Sequence, residues 1–528
     1  MSATEAGHPE SRGAMTPSAP ANSWTGGPAI VAAIAAATLL LRLATSGVYG
    51  LFTDELYFLA CGEHLAWGFV DMPPLTALQA FLARAVFGDS MLAIRLFPAL
   101  AGAGIVLLTG AIVRELGGKR FAQGLAALTV TLAPAYLLVG SYLSMNSVEP
   151  LIWMGCAFVL IRIIRTGNAR LWLAFGVLAG VGLENKHTVL LFGFAVVVGV
   201  LLTSGRRLMA NRWFLLGGVV AYLIFLPNLL WMIQHHFPHL EMLANIRRNQ
   251  RNIELSSIQF LAQQFIFMGP LAAPVWLVGL WNLVVRREWR EFRGLGLAYL
   301  IAIGMLLAVH GRVYYLLPAY PMLFAAGAVA LEGWLARPGR GWVKAAYVVL
   351  VAGSGAVLAP LAMPILAPET YIRYTHAIHL DQPRIEHRTT SALPQLFADR
   401  FGWPEMAETV AKVYRSLPLE ERSKCAIFGN HYGQSGSIDF YGPKLGLPKA
   451  IGGHVSYWTW GPREYTGECM IVLGDDRRAV ERWFDRVEAV AEVGHPYAMA
   501  QEHFTVFLCR KPKGWTLQQI WPRLKKWD

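Results

Sequence analysis

The stretch Tyr49 to Pro74 reads YGLFTDELYFLACGEHLAWGFVDMPP and follows the first strongly apolar segment, Ala29 to Ala44. Two adjacent carboxylates, Asp54 and Glu55, stand near its start. Tyr57, His64, Trp67 and Asp71 follow, and the stretch closes on Met72-Pro73-Pro74. Acids this close to a membrane-spanning segment are costly in lipid, so they face water or a cavity. Two readings stay open here. Either this loop holds the base of a membrane enzyme, or Asp54 and Glu55 complement the N-terminus of the next helix.

Composition sets the wider frame. The chain has 528 residues, 55% hydrophobic and only 15% charged, where a soluble domain carries about a quarter charged. The apolar residues lie in long runs. These features give an integral membrane protein with a more polar tail. The formal net charge of +12 reflects orientation in the membrane rather than nucleic-acid binding. Cys61, Cys156, Cys425, Cys469 and Cys509 have no metal-ligand or CxxC spacing. Cys425 and Cys469 can pair if their domain lies outside the cytoplasm, a point the sequence leaves open.

Residues 1–27 are rich in Ser, Ala, Pro, Gly and Thr and are expected to be a disordered cytoplasmic tail. The tail is too long for the basic start of a signal peptide, so the first helix is expected to be retained. Eleven apolar runs follow, near 28–48, 92–113, 121–139, 147–164, 171–183, 188–203, 212–233, 259–283, 294–309, 313–331 and 343–366. Each is long enough, or nearly so, for a core of about 30 Å. The fifth and sixth are short.

Lysine and arginine in the short loops set the expected sidedness. One set carries Arg114, Lys119 and Arg120, then Arg162, Arg165 and Arg170, then Arg206, Arg207 and Arg212, then Arg286, Arg287, Arg290 and Arg293, and last Arg337, Arg340 and Lys344. The alternate loops are poorer in each comparison. The rich set is expected inside. The first loop, 49–91, and everything after residue 366 then lie outside.

From about residue 367 the composition changes. Glu405–Leu417 reads as an amphipathic helix, and Cys425–Phe428 and Cys469–Leu473 as short buried strands. Ala479–Val493 reads as a further helix and Phe504–Cys509 as a strand. The alternation predicts a small α/β domain over 367–528. Between its first two strands, Gly429 to Pro462 is dense in glycine, aromatic and hydrogen-bonding residues. It reads as a binding loop or, equally, as a structural glycine-rich loop.

Polar groups gather on the expected outer side. Asp54, Glu55 and Asp71 lie in the first outer loop. Asn146 and Glu149 start the fourth helix, and Glu184 to His187, with Lys186, fill a short turn. His235, His236, His239, Arg247, Arg248 and Arg251 occupy the fourth outer loop. His310, Arg312, Tyr314 and Tyr315 begin the tenth helix. Cations suit a phosphate and carboxylates suit hydroxyl groups, so the pattern fits an anionic, membrane-held molecule. Taken singly, Glu149 is equally a helix-start residue and Lys186 a snorkelling one. The HHxxH run hints at a metal but has no obvious carboxylate partner.

The chain resembles the membrane glycosyltransferases of the GT-C fold, specifically glycosyltransferase family 39. That family includes protein O-mannosyltransferases and the bacterial transferase that places aminoarabinose on lipid A. The resemblance rests on Phe52-Thr-Asp-Glu-Leu-Tyr57, Asp71-Met-Pro-Pro-Leu75, Asn146–Pro150, the Gly182–His187 turn and Arg312-Val-Tyr-Tyr-Leu-Leu-Pro318. It extends from about 28 to 365. The tail, with Asn430-His-Tyr-Gly433 and Gly453-His-Val-Ser-Tyr-Trp458, is similar to that of a large set of bacterial members. Many members carry an aspartate at the start of the fourth helix, where this chain has Asn146 and Glu149.

The resemblance implies a GT-C transmembrane catalytic domain over 28–366. The implied reaction moves one sugar, with inversion, from a polyprenyl-phosphate carrier to a lipid, glycan or protein acceptor outside the membrane. In this scheme Asp54 accepts the acceptor proton, and Glu55 and Glu149 orient hydroxyl groups. Lys186, Arg247, Arg248 or Arg312 stabilises the leaving phosphate, and Tyr314 and Tyr315 line the carrier groove. Asp71, Asn146, His187 and His310 complete the binding set. No metal or other cofactor is required, although some other GT-C enzymes use a divalent metal. The implied location is the bacterial inner membrane, with the N-terminus cytoplasmic and the C-terminal domain periplasmic. A flippase of a lipid-linked sugar, a receptor-like membrane protein whose tail is the functional part, and a glycan ligase or polymerase are the competing readings. Transporters tend to show repeated halves and broken helices with polar groups near midplane, and no internal repeat is visible here.

Overall fold

The structure, a computed structural model, describes residues 26–251, 253–380, 386 and 392–528. The expected disorder of residues 1–27 falls almost wholly outside them. All eleven apolar runs fold as helix. Seven helices among the described residues are long and apolar enough to cross a membrane on their own. They are Gly26–Thr45, Leu96–Glu115, Met145–Thr166, Arg212–Gln234, Arg287–Ala308, Val313–Leu335 and Gly341–Ala362. The chain is thus a multi-pass membrane protein.

Four runs depart from a plain span. Residues 171–183 and 188–203 form the short helices Leu171–Asn185 and Val189–Leu201. The 121–139 run breaks between Leu132 and Pro134. The 259–283 run, expected to be one span, is a pair bent by 91° between Ser257–Met268 and Pro270–Val285. Gly269 adopts a positive φ of 84° there, and Pro270 has no N–H to continue the ladder.

The helices pack around a core that includes Trp153 stacked on Phe192 at 4.1 Å. Arg42 is buried in this bundle and donates to the Tyr136 carbonyl at 2.7 Å. Its guanidinium lies where a methyl on Gly140 would be, 1.2 Å from Nη1. Glycine is the residue that leaves this space.

The C-terminal domain is built on five strands: β1 Cys425–Gly429, β2 Ile451–Gly452, β3 Cys469–Leu473, β4 Phe484–Val493 and β5 Phe504–Pro512. Their order is β2-β1-β3-β5-β4. β1 runs parallel to β2 and β3, whereas β5 is antiparallel to both β3 and β4. Cys425 lies opposite Cys469 in the register, and the two form a disulfide.

Two expectations for this domain are corrected. The helix read over Ala479–Val493 is only Arg477–Glu481, and the rest is strand β4. Alanine and glutamate favour a helix there, but Val487 pairs with Cys509 and Ala489 with Phe507, so sheet pairing overrides propensity. The glycine-rich segment Gly429 to Pro462 is not one loop: Tyr432–Tyr441 is a helix whose first turn is capped by the His431 side chain, Ile451–Gly452 is β2, and turns and short helical stretches join them. The helix Trp403–Ser416 and the strands at 425, 469 and 504 fall where the sequence puts them.

Helices Thr53–Glu63 and Leu75–Phe87 shape the first loop. Leu56, Tyr57, Phe58 and Val70 of this loop share one core with Trp403, Ile438 and Tyr457 of the C-terminal domain. The tail therefore caps the end of the bundle where the first loop lies.

Candidate active site

The two acids of the opening stretch part company. Both lie in the first turn of Thr53–Glu63, but they point to different surroundings. The Glu55 side chain is 0% exposed and meets Arg95 twice, Nη2 to Oε2 at 2.6 Å and Nε to Oε1 at 3.0 Å. It also accepts the backbone N–H groups of Phe52 at 2.8 Å and Leu143 at 2.8 Å. Burial works to raise this carboxyl, but the Arg95 charge and hydrogen bonds outweigh it and hold Glu55 below the usual carboxylate range. Glu55 thus ties the loop to Arg95 and to the chain near Leu143.

Asp54 is half-buried and accepts a hydrogen bond from the Tyr432 hydroxyl at 2.7 Å. Tyr142 stands close by. Burial pushes its phenol up, and the charge of Asp54, followed by Tyr314, adds to the effect. Arg400, itself buried, lies over the Tyr142 ring at 5.5 Å and donates to Ser141 Oγ at 2.9 Å.

Asp71 accepts from the Tyr57 hydroxyl at 2.6 Å, and Tyr57 in turn meets Ser456 Oγ at 2.7 Å. Ser456 also accepts the Val70 N–H at 3.2 Å. Burial pushes the Asp71 carboxyl up to about 6, the Tyr57 hydrogen bond opposes this, and the Asp54 charge adds to it. Two carboxylates and two tyrosines thus sit at the seam between first loop and C-terminal domain.

A second cluster carries the cations. The Lys186 ammonium donates to Asn146 Oδ1 at 2.7 Å and pairs with Glu149 Oε2 at 2.9 Å. Thr188 donates to the other Glu149 oxygen. The same ammonium lies over the rings of Tyr315 at 4.6 Å and Tyr314 at 5.4 Å. Arg312 donates to the Tyr314 hydroxyl at 3.2 Å. Arg312 and Arg251 both face Glu386, at 3.6 and 3.5 Å. Asn146, Glu149, Lys186, Arg312, Tyr314 and Tyr315 are therefore one connected group, and Tyr142 couples electrostatically to both Asp54 and Tyr314.

Other expected residues lie elsewhere. His187 bonds Asn228 Oδ1 at 3.0 Å and packs on His239 at 5.4 Å. Burial lowers the imidazolium of each, His239 to about 4. Arg247 and Arg248 end an exposed helix turn, and His310 is exposed with a positive φ of 50°. These last three do not join the cluster, whereas Arg251 does. The HHxxH run does not converge: His235 stacks on Trp231 at 4.0 Å. No group of three or more possible metal ligands occurs among the described residues.

The residues that sequence reasoning did not single out are Tyr432, Ser456, Tyr142 and Arg95. Tyr432 and Ser456 lie in the Asn-His-Tyr-Gly and His-Val-Ser-Tyr-Trp runs of the tail, but nothing in one chain links those runs to residue 54. Arg95, a lone arginine at the start of an apolar run, was the available hint of a buried acid partner.

Residues 71–231 match a family model described as dolichyl-phosphate-mannose-protein mannosyltransferase. No curated protein matches the chain. Among solved structures, ArnT from Cupriavidus metallidurans bound to undecaprenyl phosphate is similar over 92% of this chain and 98% of its own, at 16% identity and a TM-score of 0.59. The same protein in the apo state gives the same values. The Archaeoglobus fulgidus oligosaccharyltransferase tethered to an acceptor peptide is less alike, covering 79% of this chain and 64% of its own, with 10% identity and a TM-score of 0.46. The chain thus shares the fold of ArnT over nearly its whole length, and residues 71–231 carry the match to the mannosyltransferase family model.

Proposed function

We propose that the protein moves a single sugar from a polyprenyl-phosphate carrier to a hydroxyl acceptor at the periplasmic face of a bacterial inner membrane, with inversion. The observation that carries this is one end of a helical bundle presenting a carboxylate, Asp54, near a cation and tyrosine cluster around Lys186 and Arg312. The similar ArnT structure holds undecaprenyl phosphate, which supports the same class of carrier here.

In the reaction, the acceptor oxygen attacks the anomeric carbon as its proton passes to Asp54. The bond from that carbon to the phosphate oxygen breaks, and its electron pair leaves with the polyprenyl phosphate. A carboxylate with an ordinary value near 4 takes such a proton late in the transition state. The leaving phosphate needs charge stabilisation, which Lys186 and Arg312 supply. Asn146 and Glu149 hold Lys186 in place, and Tyr314 and Tyr315 line the donor's path. Glu55, enclosed by Arg95 and two backbone N–H groups, anchors the loop rather than touching substrate. Arg247, Arg248 and His310 serve at most the surface approach.

The test is sugar transfer in isolated membranes from a panel of radiolabelled polyprenyl-phosphate sugars, comparing wild type with Asp54→Asn. The wild type is expected to label an acceptor and the variant to lose this while still binding carrier. Equal labelling by both removes Asp54 as the base. No labelling by either, with lipid-linked sugar crossing intact vesicles, replaces transfer by translocation.

A further inference from the structure

We infer that Tyr432, on the C-terminal domain, is a positioning residue for the Asp54 carboxylate, so that the catalytic site of the bundle is completed by the tail. The inference rests on the reading of Asp54 as base and deepens it.

The tyrosine is held from several sides. Its hydroxyl donates to Asp54 Oδ1 at 2.7 Å. Its ring stacks on His454 at 4.9 Å and 13°, and lies against Tyr57 at 5.0 Å. The backbone N–H of Tyr432 donates to His454 Nδ1 at 3.3 Å, and His454 Nε2 faces the Asp528 carbonyl at 3.2 Å. The first of these contacts makes Nδ1 the acceptor, which leaves the proton on Nε2 and fixes the ring.

The helix that carries Tyr432 is equally fixed. His431 caps it by accepting the Gly433 N–H at 3.0 Å, and His431 Nε2 meets Glu502 at 2.9 Å. Gln434 reaches the other Glu502 oxygen at 3.2 Å. Two glycines let this helix lie directly on the helix of Asp54. A methyl on Gly433 would sit 2.3 Å from Thr53 Oγ1, and one on Gly436 would sit 2.9 Å from the Leu56 carbonyl carbon. The close approach thus delivers one phenol to one carboxylate. A side chain locked by packing and by outer hydrogen bonds is what holds a base in a productive orientation.

Among the described residues, the titratable groups around Asp54 include Tyr432 and His454 from the C-terminal domain, Tyr57 and Asp71 from the first loop, and Tyr142 from the turn before Met145–Thr166, with the Arg400 guanidinium over the Tyr142 and Phe52 rings. A phenol donating to a carboxylate stabilises its ionised form. Tyr432→Phe keeps the ring and removes that bond.

The test uses full-length protein in vesicles. Asp54 is modified with a water-soluble carbodiimide and glycine ethyl ester, which take the protonated carboxyl, and the product is read by peptide mass spectrometry across the acidic range. Tyr432→Phe is expected to raise the pH midpoint of Asp54 labelling by about half to one unit. It is also expected to lower kcat about 10- to 100-fold with donor KM unchanged, using the radiolabelled donor that serves the wild type. Gly433→Ala, which pushes the helix off Thr53 but keeps the phenol, is expected to shift labelling in the same direction, and it stands in should Tyr432→Phe fail to fold. An unchanged labelling midpoint overturns the inference, as does a shifted midpoint with unchanged kcat. Transfer that persists in Asp54→Asn instead overturns the base assignment, so the two failures are distinguishable.

Discussion

Replacing Arg95 by methionine should damage the protein by destabilisation, not by loss of chemistry. Arg95 is 3% exposed and its partner Glu55 is 0% exposed. Two guanidinium nitrogens meet the two Glu55 oxygens, and the same group donates to the Gly50 carbonyl at 2.7 Å and the Tyr49 carbonyl at 3.3 Å. Arg95→Met strands a buried carboxylate, which costs about 3–5 kcal/mol. Glu55→Gln keeps the shape and loses the charge. The guanidinium retains its carbonyl partners, so the cost is smaller, about 1–3 kcal/mol. The double variant should cost less than the sum of the singles, because neither buried charge is then left alone.

The assay is denaturant unfolding in detergent micelles at neutral pH, followed by transfer per folded molecule. The Glu55 carboxyl lies below its unfolded value, so its contribution is present above about pH 4.3 and lost as pH falls through the folded value. In Glu55→Gln this acid sensitivity should shrink. An Arg95→Met variant as stable as wild type would refute the reasoning. So would Glu55→Gln that unfolds like wild type yet transfers no sugar, for Glu55 would then belong to the chemistry.

Three further outcomes are expected. Asp71→Asn should remove a destabilisation that builds up with pH: the Asp71 carboxyl is raised to about 6, so its ionisation opposes folding increasingly between its unfolded value of about 3.9 and about 6, and by a constant amount above that. Thermal unfolding of wild type and variant should diverge between about pH 4 and about pH 6 and stay a constant distance apart at neutral and alkaline pH. Lys186→Met should abolish transfer and strand the 2% exposed Glu149 side chain, at about 3–5 kcal/mol. Adding Glu149→Leu should recover most of that stability, measured by unfolding, but none of the transfer. Cys469→Ser opens a loop with a sequence separation of 44 and should cost about 4 kcal/mol by loop entropy. Comparing it with a reduced wild type by protease sensitivity of the C-terminal domain checks this.

The sequence was most informative where a local pattern decides the structure. Long apolar runs can be little else than helices in a membrane, and all eleven fold so. The bend at Gly269-Pro270 was written locally too, yet hydropathy averages over it. β4 was misread because Ala, Glu and Val in a row carry a weak preference that pairing with β5 decides. At the site, Lys186 with Glu149 and Asn146, and Arg312 with Tyr314 and Tyr315, were visible as polar residues out of place in apolar surroundings. The different surroundings of Asp54 and Glu55 were not. Adjacent residues on a helix point about 100° apart, and only the partners, Arg95 on one side and Tyr432 on the other, show which acid is enclosed.

The bond from Tyr432 to Asp54 joins residues separated by 378 positions. A ribosome adding about 5–20 residues per second needs roughly 20 to 75 s to cover that distance. During that interval the bundle can insert and its first loop can emerge, but Asp54 has not yet met Tyr432. A chain cut short after the last membrane helix would lack Tyr432 and Ser456 altogether. With Asp54 and Tyr432 in the roles proposed above, synthesis of the helix Tyr432–Tyr441 sets the earliest moment at which a new molecule becomes competent.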